Sequence, residues 1–205
     1  EPEHSPLGAD LEAVPAPRHL HQFDEQWWTT DEAPSFDEAD VSDKPGFIQG
    51  RSRMLPATQI VAQAHYQRAL ESLLAVDEAV ARVVEALDET GELDDTVIMF
   101  WSDNGFLQGE HRIRDAKVLP YEESIHVPLI IRGPGFPVGA TAPQLTANIY
   151  LAPTILDAAG LPPLSDATGK SLLPLIKTGE ANGRDAVFVE RERHANVRRG
   201  DQSYP

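Results

Sequence analysis

Asp103 and Asn104 stand side by side where an apolar run, Thr96 to Trp101, breaks off into Ser-Asp-Asn-Gly. Carboxylate and carboxamide oxygens are hard ligands that suit Ca²⁺ or Mg²⁺. Glu110, His111 and Lys117 follow in the same stretch. A histidine titrates near neutral pH and can carry a proton. A lysine is a compact point charge for an anionic substrate. Together these types describe chemistry on an anionic group, with a cation to polarise it. Asp-Asn-Gly is also ordinary turn chemistry, and for that tetrapeptide alone the turn reading is the stronger one.

The elements that must position these residues follow from periodicity. A short apolar run bounded by turn residues predicts a buried strand over 96–101, and Val127 to Ile131, ended by Gly133-Pro134-Gly135, predicts a second. In open α/β sheets, ligands gather beyond the carboxyl ends of the strands, which is where Asp103 and Asn104 fall. From Thr58 to Thr90, apolar residues recur at three- and four-residue spacings through Leu70, Leu73, Val76, Val80, Val83 and Leu87. That is a long amphipathic helix suited to covering a sheet, with Gly91 as its stop and Asp77 on its solvated side. Tyr121 to Ile125 predicts a helical turn. Ala147 to Ala159 predicts a helix that tolerates Pro153 only near its first turn. Ala186 to Val189 is a strand candidate. No period explains 102–120. The alternation of strand and helix indicates an α/β fold. Residues 1–56 read as a long ordered loop anchored by Trp27, Trp28, Phe36 and Phe47; His19 and His21 read as loop or surface histidines and His126 as structural.

Composition narrows the partners. Seventeen basic against thirty-three acidic residues give a net charge of −16 over 205 residues. That excludes the basic surface of a nucleic-acid binder and electrostatic adhesion to anionic membranes. The absence of cysteine excludes disulfides, thiolate zinc sites and a cysteine nucleophile within these residues. No run approaches the roughly 20 apolar residues of a membrane span.

Taken in order, SDNG, GEH, Lys117 and PYEESIHVPLIIRGPG resemble the sulfatase family of the alkaline-phosphatase-like superfamily. ALESLLAVDEAVARVVEALDETGELDDTVIMFWSDNG is similar to the helix and strand that lead into the family's metal site. NIYLAPTILDAAGLPPLSDATGKSLLPLI is similar to its following helix and loop. PEHSP and FDEADVSDKPGFI resemble the segment around a substrate-contacting histidine, and VERERHANVRRGDQSYP a segment of heparan-type glycan sulfatases. The resemblance covers nearly the whole chain. It implies a mixed, mostly parallel sheet flanked by helices and incomplete here. Residues 1–56 would form a substrate-side loop region, 57–180 a partial catalytic core, and 181–205 the start of a C-terminal segment.

The resemblance also implies roles. Asp103 and Asn104 match the pair that binds the divalent cation, usually Ca²⁺ and less often Mg²⁺. Lys117 matches the lysine that contacts the sulfate. His4 matches the histidine of a Pro-His-x-Pro segment near the leaving oxygen, although Glu3 stands where that family often has Pro. His111 would line the pocket, and Arg193 and His194 would reach the substrate. Sulfatases attack with a formylglycine made from Cys or Ser in C/S-x-P-S-R, and no such motif occurs in this sequence. The expectation is therefore the C-terminal part of a sulfuric ester hydrolase, with formylglycine in a preceding segment and no turnover alone. Its substrate would be a carbohydrate or aryl sulfate, and the family suggests a periplasmic, secreted or lysosomal setting. Two alternatives stand beside it: a phosphodiesterase or phosphonate hydrolase of the same superfamily, and a non-catalytic anion- or glycan-binding remnant.

Overall fold

The computed structural model describes residues 13–27, 33–114, 116–117, 119–178, 186–187 and 189. The chain divides into two compact units, Glu1–Val138 and Gly139–Pro205.

In the first unit, a short helix α1 (Gly46–Gln49) precedes the long helix α2 (Pro56–Glu89). Pro56 opens α2 because its missing N–H costs nothing in a first turn. At the far end, Gly91 adopts φ 75°, Gly91 N–H donates to Asp88 O at 3.0 Å and Glu92 N–H to Leu87 O at 2.9 Å. This left-handed cap satisfies carbonyls that the helix itself leaves open.

The two faces of α2 are used in an unexpected sense. Its polar side faces the 13–27 segment: Gln63 Nε2 donates to Gln26 O at 2.6 Å, and Gln67 Nε2 to Asp24 O at 2.8 Å. Glu78 accepts from Arg18 Nε at 3.1 Å. His19, expected at the surface, is 7% exposed. Its Nε2 lies 2.9 Å from Glu78 Oε1, off the hydrogen-bond direction. A 3₁₀ turn over Pro17–His19 places Arg18 and His19 together above that carboxylate, which a reading of single residues could not foresee. Of the stripe expected to cover a sheet, Leu73, Val76, Val80 and Val83 are exposed, while Leu70, Leu74, Val84 and Leu87 are half-buried. Asp77 is solvated as expected.

Strands β1 (Ile98–Trp101) and β2 (Leu129–Arg132) pair antiparallel, with Ile98 opposite Arg132 and Trp101 opposite Leu129. Both lie within a residue or two of the predicted runs. A four-residue helix α3 (Glu122–Ile125) precedes β2. A separate small core of Val41, Ile48, Leu107, Ile113 and Leu119 joins the 33–54 segment to the loop after β1, with Phe47, Ala116 and Tyr121 packed against it. Phe36 and Phe47 are partly buried, as expected of anchors. Trp27, expected as an anchor, is 58% exposed; Trp28 lies outside the described residues. His126 is exposed, its Nδ1 3.3 Å from Glu122 Oε2 one helical turn back.

In the second unit, a 3₁₀ turn (Asn148–Tyr150) runs into α4 (Leu151–Ala158), and α5 (Leu173–Thr178) follows. Pro153 sits at the third position of α4, within its first turn, and Gly160 adopts φ 66° just past the end. Thr154 is fully buried. Its hydroxyl donates to Tyr150 O at 2.7 Å and accepts from Leu172 N–H at 2.9 Å, which ties α4 to the start of α5. The strand expected over 186–189 is absent at Ala186, Val187 and Val189, and Val189 is 48% exposed.

Candidate functional site

The candidate residues sit on the loop between β1 and α3. β1 ends at Trp101, and the chain turns at once. Ser102 Oγ donates to Asn104 O at 2.7 Å, and Asn104 Nδ2 donates to Gly105 O at 2.9 Å. Asp103 is exposed and Asn104 half-buried. Gly105 N–H donates to Ser124 O at 2.8 Å. A Cβ at Gly105 would lie 2.0 Å from Glu123 O, so the turn and α3 approach as closely as only glycine allows.

Beyond the turn the loop closes on itself. Leu107 and Ala116 form an isolated antiparallel bridge, with N–H···O distances of 2.7 and 3.3 Å. Lys117 follows Ala116 directly and its side chain is exposed. The bridge therefore holds Lys117 on the base of the same loop that carries Asp103 and Asn104.

The tip of the loop is a corner. His111 and Arg112 both adopt left-handed backbone, φ 53° and 59°, at a cost of roughly 1–2 kcal/mol each for residues with a Cβ. The corner is held by partners far away in sequence. Arg112 donates from Nε to Glu38 O at 2.9 Å, from Nη1 to Arg51 O at 2.8 Å and from Nη2 to Ala39 O at 2.8 Å. Arg112→Lys lacks the planar fork that reaches three carbonyls at once. It should lower stability by about 1–3 kcal/mol, read as a reduced urea midpoint at unchanged slope; an unchanged midpoint would remove Arg112 from this role.

His111 is 9% exposed and stacked against Tyr121 at 4.2 Å between ring centroids. Its Nδ1 lies 2.9 Å from Glu38 Oε2 and its Nε2 3.5 Å from Glu123 Oε2. Both ring nitrogens thus face carboxylates, and the ring lies between two acids. Ser35 Oγ donates to Glu123 Oε1 at 2.8 Å, and His111 N–H donates to Ser35 O at 2.8 Å. Burial works to raise the Glu123 carboxyl, but its own backbone N–H, Ser35 and the facing His111 outweigh that and hold it below its ordinary value.

Glu110 behaves oppositely: burial pushes its carboxyl above the usual value. A group raised in the folded state contributes stability below its unfolded pKa and loses it as pH rises through the folded pKa. Glu110→Gln keeps an oxygen for Gln108 N–H, now 2.6 Å from Glu110 Oε2. It should raise the Tm at neutral pH, with the gain shrinking toward acid where Glu110 is itself neutral. A gain of equal size at both pH values would contradict the assignment.

His4, Arg193 and His194 lie outside the described residues. The structure therefore brings Asp103, Asn104 and Lys117 onto one loop and adds residues that sequence reasoning missed: Ser35, Glu38, Arg112 and Glu123. No local spacing links these residues. The nearest signal is the polar, acid-rich segment FDEADVSDKPGFI, which reads as an ordered loop with aromatic anchors and carries part of the resemblance.

Asp103 and Asn104 offer two hard oxygens of the type Ca²⁺ prefers, out of its usual roughly six to eight ligands. Among the described residues, no three His, Cys, Asp or Glu side chains converge to hold a metal ion. The pair suits a share of a cation site and does not complete one. Among the described residues, no helix is long and apolar enough to cross a membrane.

A sulfatase family model matches residues 16–161. The chain belongs to the sulfatase family. It is 41% identical over 128 residues to human N-acetylglucosamine-6-sulfatase, covering 61% of this chain and 23% of that protein. A solved structure of a protein in complex with its substrate D-glucosamine-2-N,6-O-disulfate aligns with TM-score 0.59 and 36% identity, covering 67% of this chain and 28% of that one. A phosphonate monoester hydrolase from Silicibacter pomeroyi aligns with TM-score 0.56 and 28% identity, covering 83% of this chain and 32% of that one. The sulfatase chain spans less than a third of the curated relatives it matches. Its fold is part of an alkaline-phosphatase-like α/β domain.

Proposed function

We propose that this sulfatase chain supplies the loop that binds the sulfate group in a sulfuric ester hydrolase acting on sulfated sugars. The observation that supports it most is the placement of Asp103 and Asn104 at the carboxyl end of β1 on the same bridged loop as Lys117. Sulfate ester cleavage needs in-line attack and stabilisation of charge on the non-bridging and leaving oxygens. Lys117, exposed at the loop base, offers one positive charge to that group. Asp103 and Asn104 would hold part of a Ca²⁺ ion, which when bound polarises sulfate oxygens. In this reading His4, Arg193 and His194 contact the substrate, His4 near the leaving oxygen. The sugar preference rests on the human glucosamine sulfatase and on the disulfated glucosamine bound by the structural relative.

The attacking formylglycine would come from a C/S-x-P-S-R segment, absent from these 205 residues, so the chain alone is proposed to be inactive. A complete domain, meaning this chain preceded by such a segment, should cleave a glucosamine 6-sulfate and an aryl sulfate faster than a phenylphosphonate monoester. The reverse preference would favour the phosphonate hydrolase reading, which the Silicibacter relative motivates. In the same domain Asp103→Ala should weaken Ca²⁺ binding at least about tenfold by calorimetry, the loss expected for a liganding group. Identical affinity would remove Asp103 from the cation.

A further inference from the structure

Glu123 touches the loop at two places, the Gly105 turn and the His111 corner, yet it is neither a cation ligand nor a substrate contact in the reading above. Its backbone carbonyl lies against Gly105, where an added Cβ would be 2.0 Å away. The next residue, Ser124, accepts the Gly105 N–H at 2.8 Å. Its side chain points the other way and is divided between two partners. Oε1 accepts from Ser35 Oγ at 2.8 Å, across 88 residues of sequence, and Oε2 faces His111 Nε2 at 3.5 Å. The other ring nitrogen of His111 is taken by Glu38.

We propose that Glu123 is a positioning residue: it fixes the Ser102–Gly105 turn against the His111 corner, and through the Leu107–Ala116 bridge against Lys117. This deepens the sulfatase reading and rests on it. The physical reason is the division of labour within one residue. The main chain of α3 holds the turn by a hydrogen bond that any side chain at 123 would leave in place. The carboxylate holds the corner and the turn that carries Ser35. Without it, α3 and the turn keep each other but lose their register to the corner, and the loop base carrying Lys117 is free to shift relative to Asp103 and Asn104. Misplacement by about 1 Å is enough to cost on the order of 10²-fold in rate.

The first test needs no catalysis. In ¹H–¹⁵N spectra of the 205-residue chain, Glu123→Ala should move the amide signals of Asn104, Gly105 and Lys117 while those of Ile98–Trp101 and the middle of α2 stay in place. Glu123→Gln keeps an oxygen for Ser35 and an amide opposite His111, and should restore most of the wild-type positions. If Glu123→Ala does not fold, Ser35→Ala, which removes one of the two carboxylate partners, should move the same signals. The proposal is overturned if the changes stay at residue 111 and its neighbours while Asn104, Gly105 and Lys117 are unmoved, or if Gln fails to restore what Ala disturbs. In the complete domain, Glu123→Ala should lower kcat by about 10²-fold with KM within a few-fold, and Gln should recover it; a loss confined to KM or to Tm contradicts positioning. A wild-type complete domain without sulfatase activity would sink the sulfatase reading, and the spectra of the chain would still decide whether Glu123 sets the loop.

Discussion

Replacing Lys117 by Ala in the complete domain is expected to lower kcat for an aryl sulfate by about 10²–10³-fold, the usual loss when one preorganised group facing developing charge is removed. The side chain is exposed and outside the small core of Val41, Ile48, Leu107, Ile113 and Leu119, so the fold should survive. The Tm of the 205-residue chain should therefore stay within a degree or two of wild type. Part of the loss should appear in KM as well, because a lysine that meets sulfate in the transition state also meets it in the ground state. Steady-state kinetics with matched unfolding curves check this. Wild-type kcat/KM in Lys117→Ala would take Lys117 out of the site, whatever the resemblance implies.

The second large effect is at Gly105. An alanine there puts Cβ 2.0 Å from Glu123 O, 2.9 Å from Glu123 C and 3.2 Å from Ser124 Cα. All three are main-chain atoms, so no rotamer change relieves the clash. Either the Gly105–Ser124 hydrogen bond breaks or the whole turn moves away from α3. Overpacking of this kind costs about 1–3 kcal/mol, and the turn it moves carries Asp103 and Asn104. Gly105→Ala should thus lower the urea midpoint of the chain, weaken Ca²⁺ binding by the complete domain and depress kcat, all together. Loss of stability with unaltered Ca²⁺ affinity and kcat would mean that the turn does not place the cation ligands.

The contrast between these two positions shows how far the sequence could be read. Lys117 and the Asp103–Asn104 pair were legible because they lie on one contiguous stretch with a strand before it and turn residues around it. β1, β2 and α2 are legible because short apolar runs and helical spacing report secondary structure, although the strands expected to be buried are half-buried to exposed, Ile130 at 63%. The loop from 102 to 120 had no period to read, because what shapes it is remote. Arg112 reaches carbonyls at 38, 39 and 51, and His111 sits between carboxylates at 38 and 123. The left-handed backbone at His111 and Arg112 is affordable only with those partners, and nothing within a few residues announces it. The apolar stripe of α2 was read correctly as a stripe, while the partner it faces cannot be inferred from spacing. Among the described residues, its polar side is the covered one, held by Arg18, His19 and the carbonyls of Asp24 and Gln26.

The central claim is that this chain carries the sulfate-binding loop of a hydrolase whose nucleophile lies on a preceding segment. Turnover of an aryl sulfate by the 205-residue chain, set beside turnover by the same chain preceded by a C/S-x-P-S-R segment matured to formylglycine, tests it most directly. The account predicts no hydrolysis above background for the chain alone, and sulfate release by the complete domain that falls when Lys117 is replaced. Hydrolysis by the chain alone, or a matured complete domain that releases no sulfate from sugar or aryl esters, would contradict it.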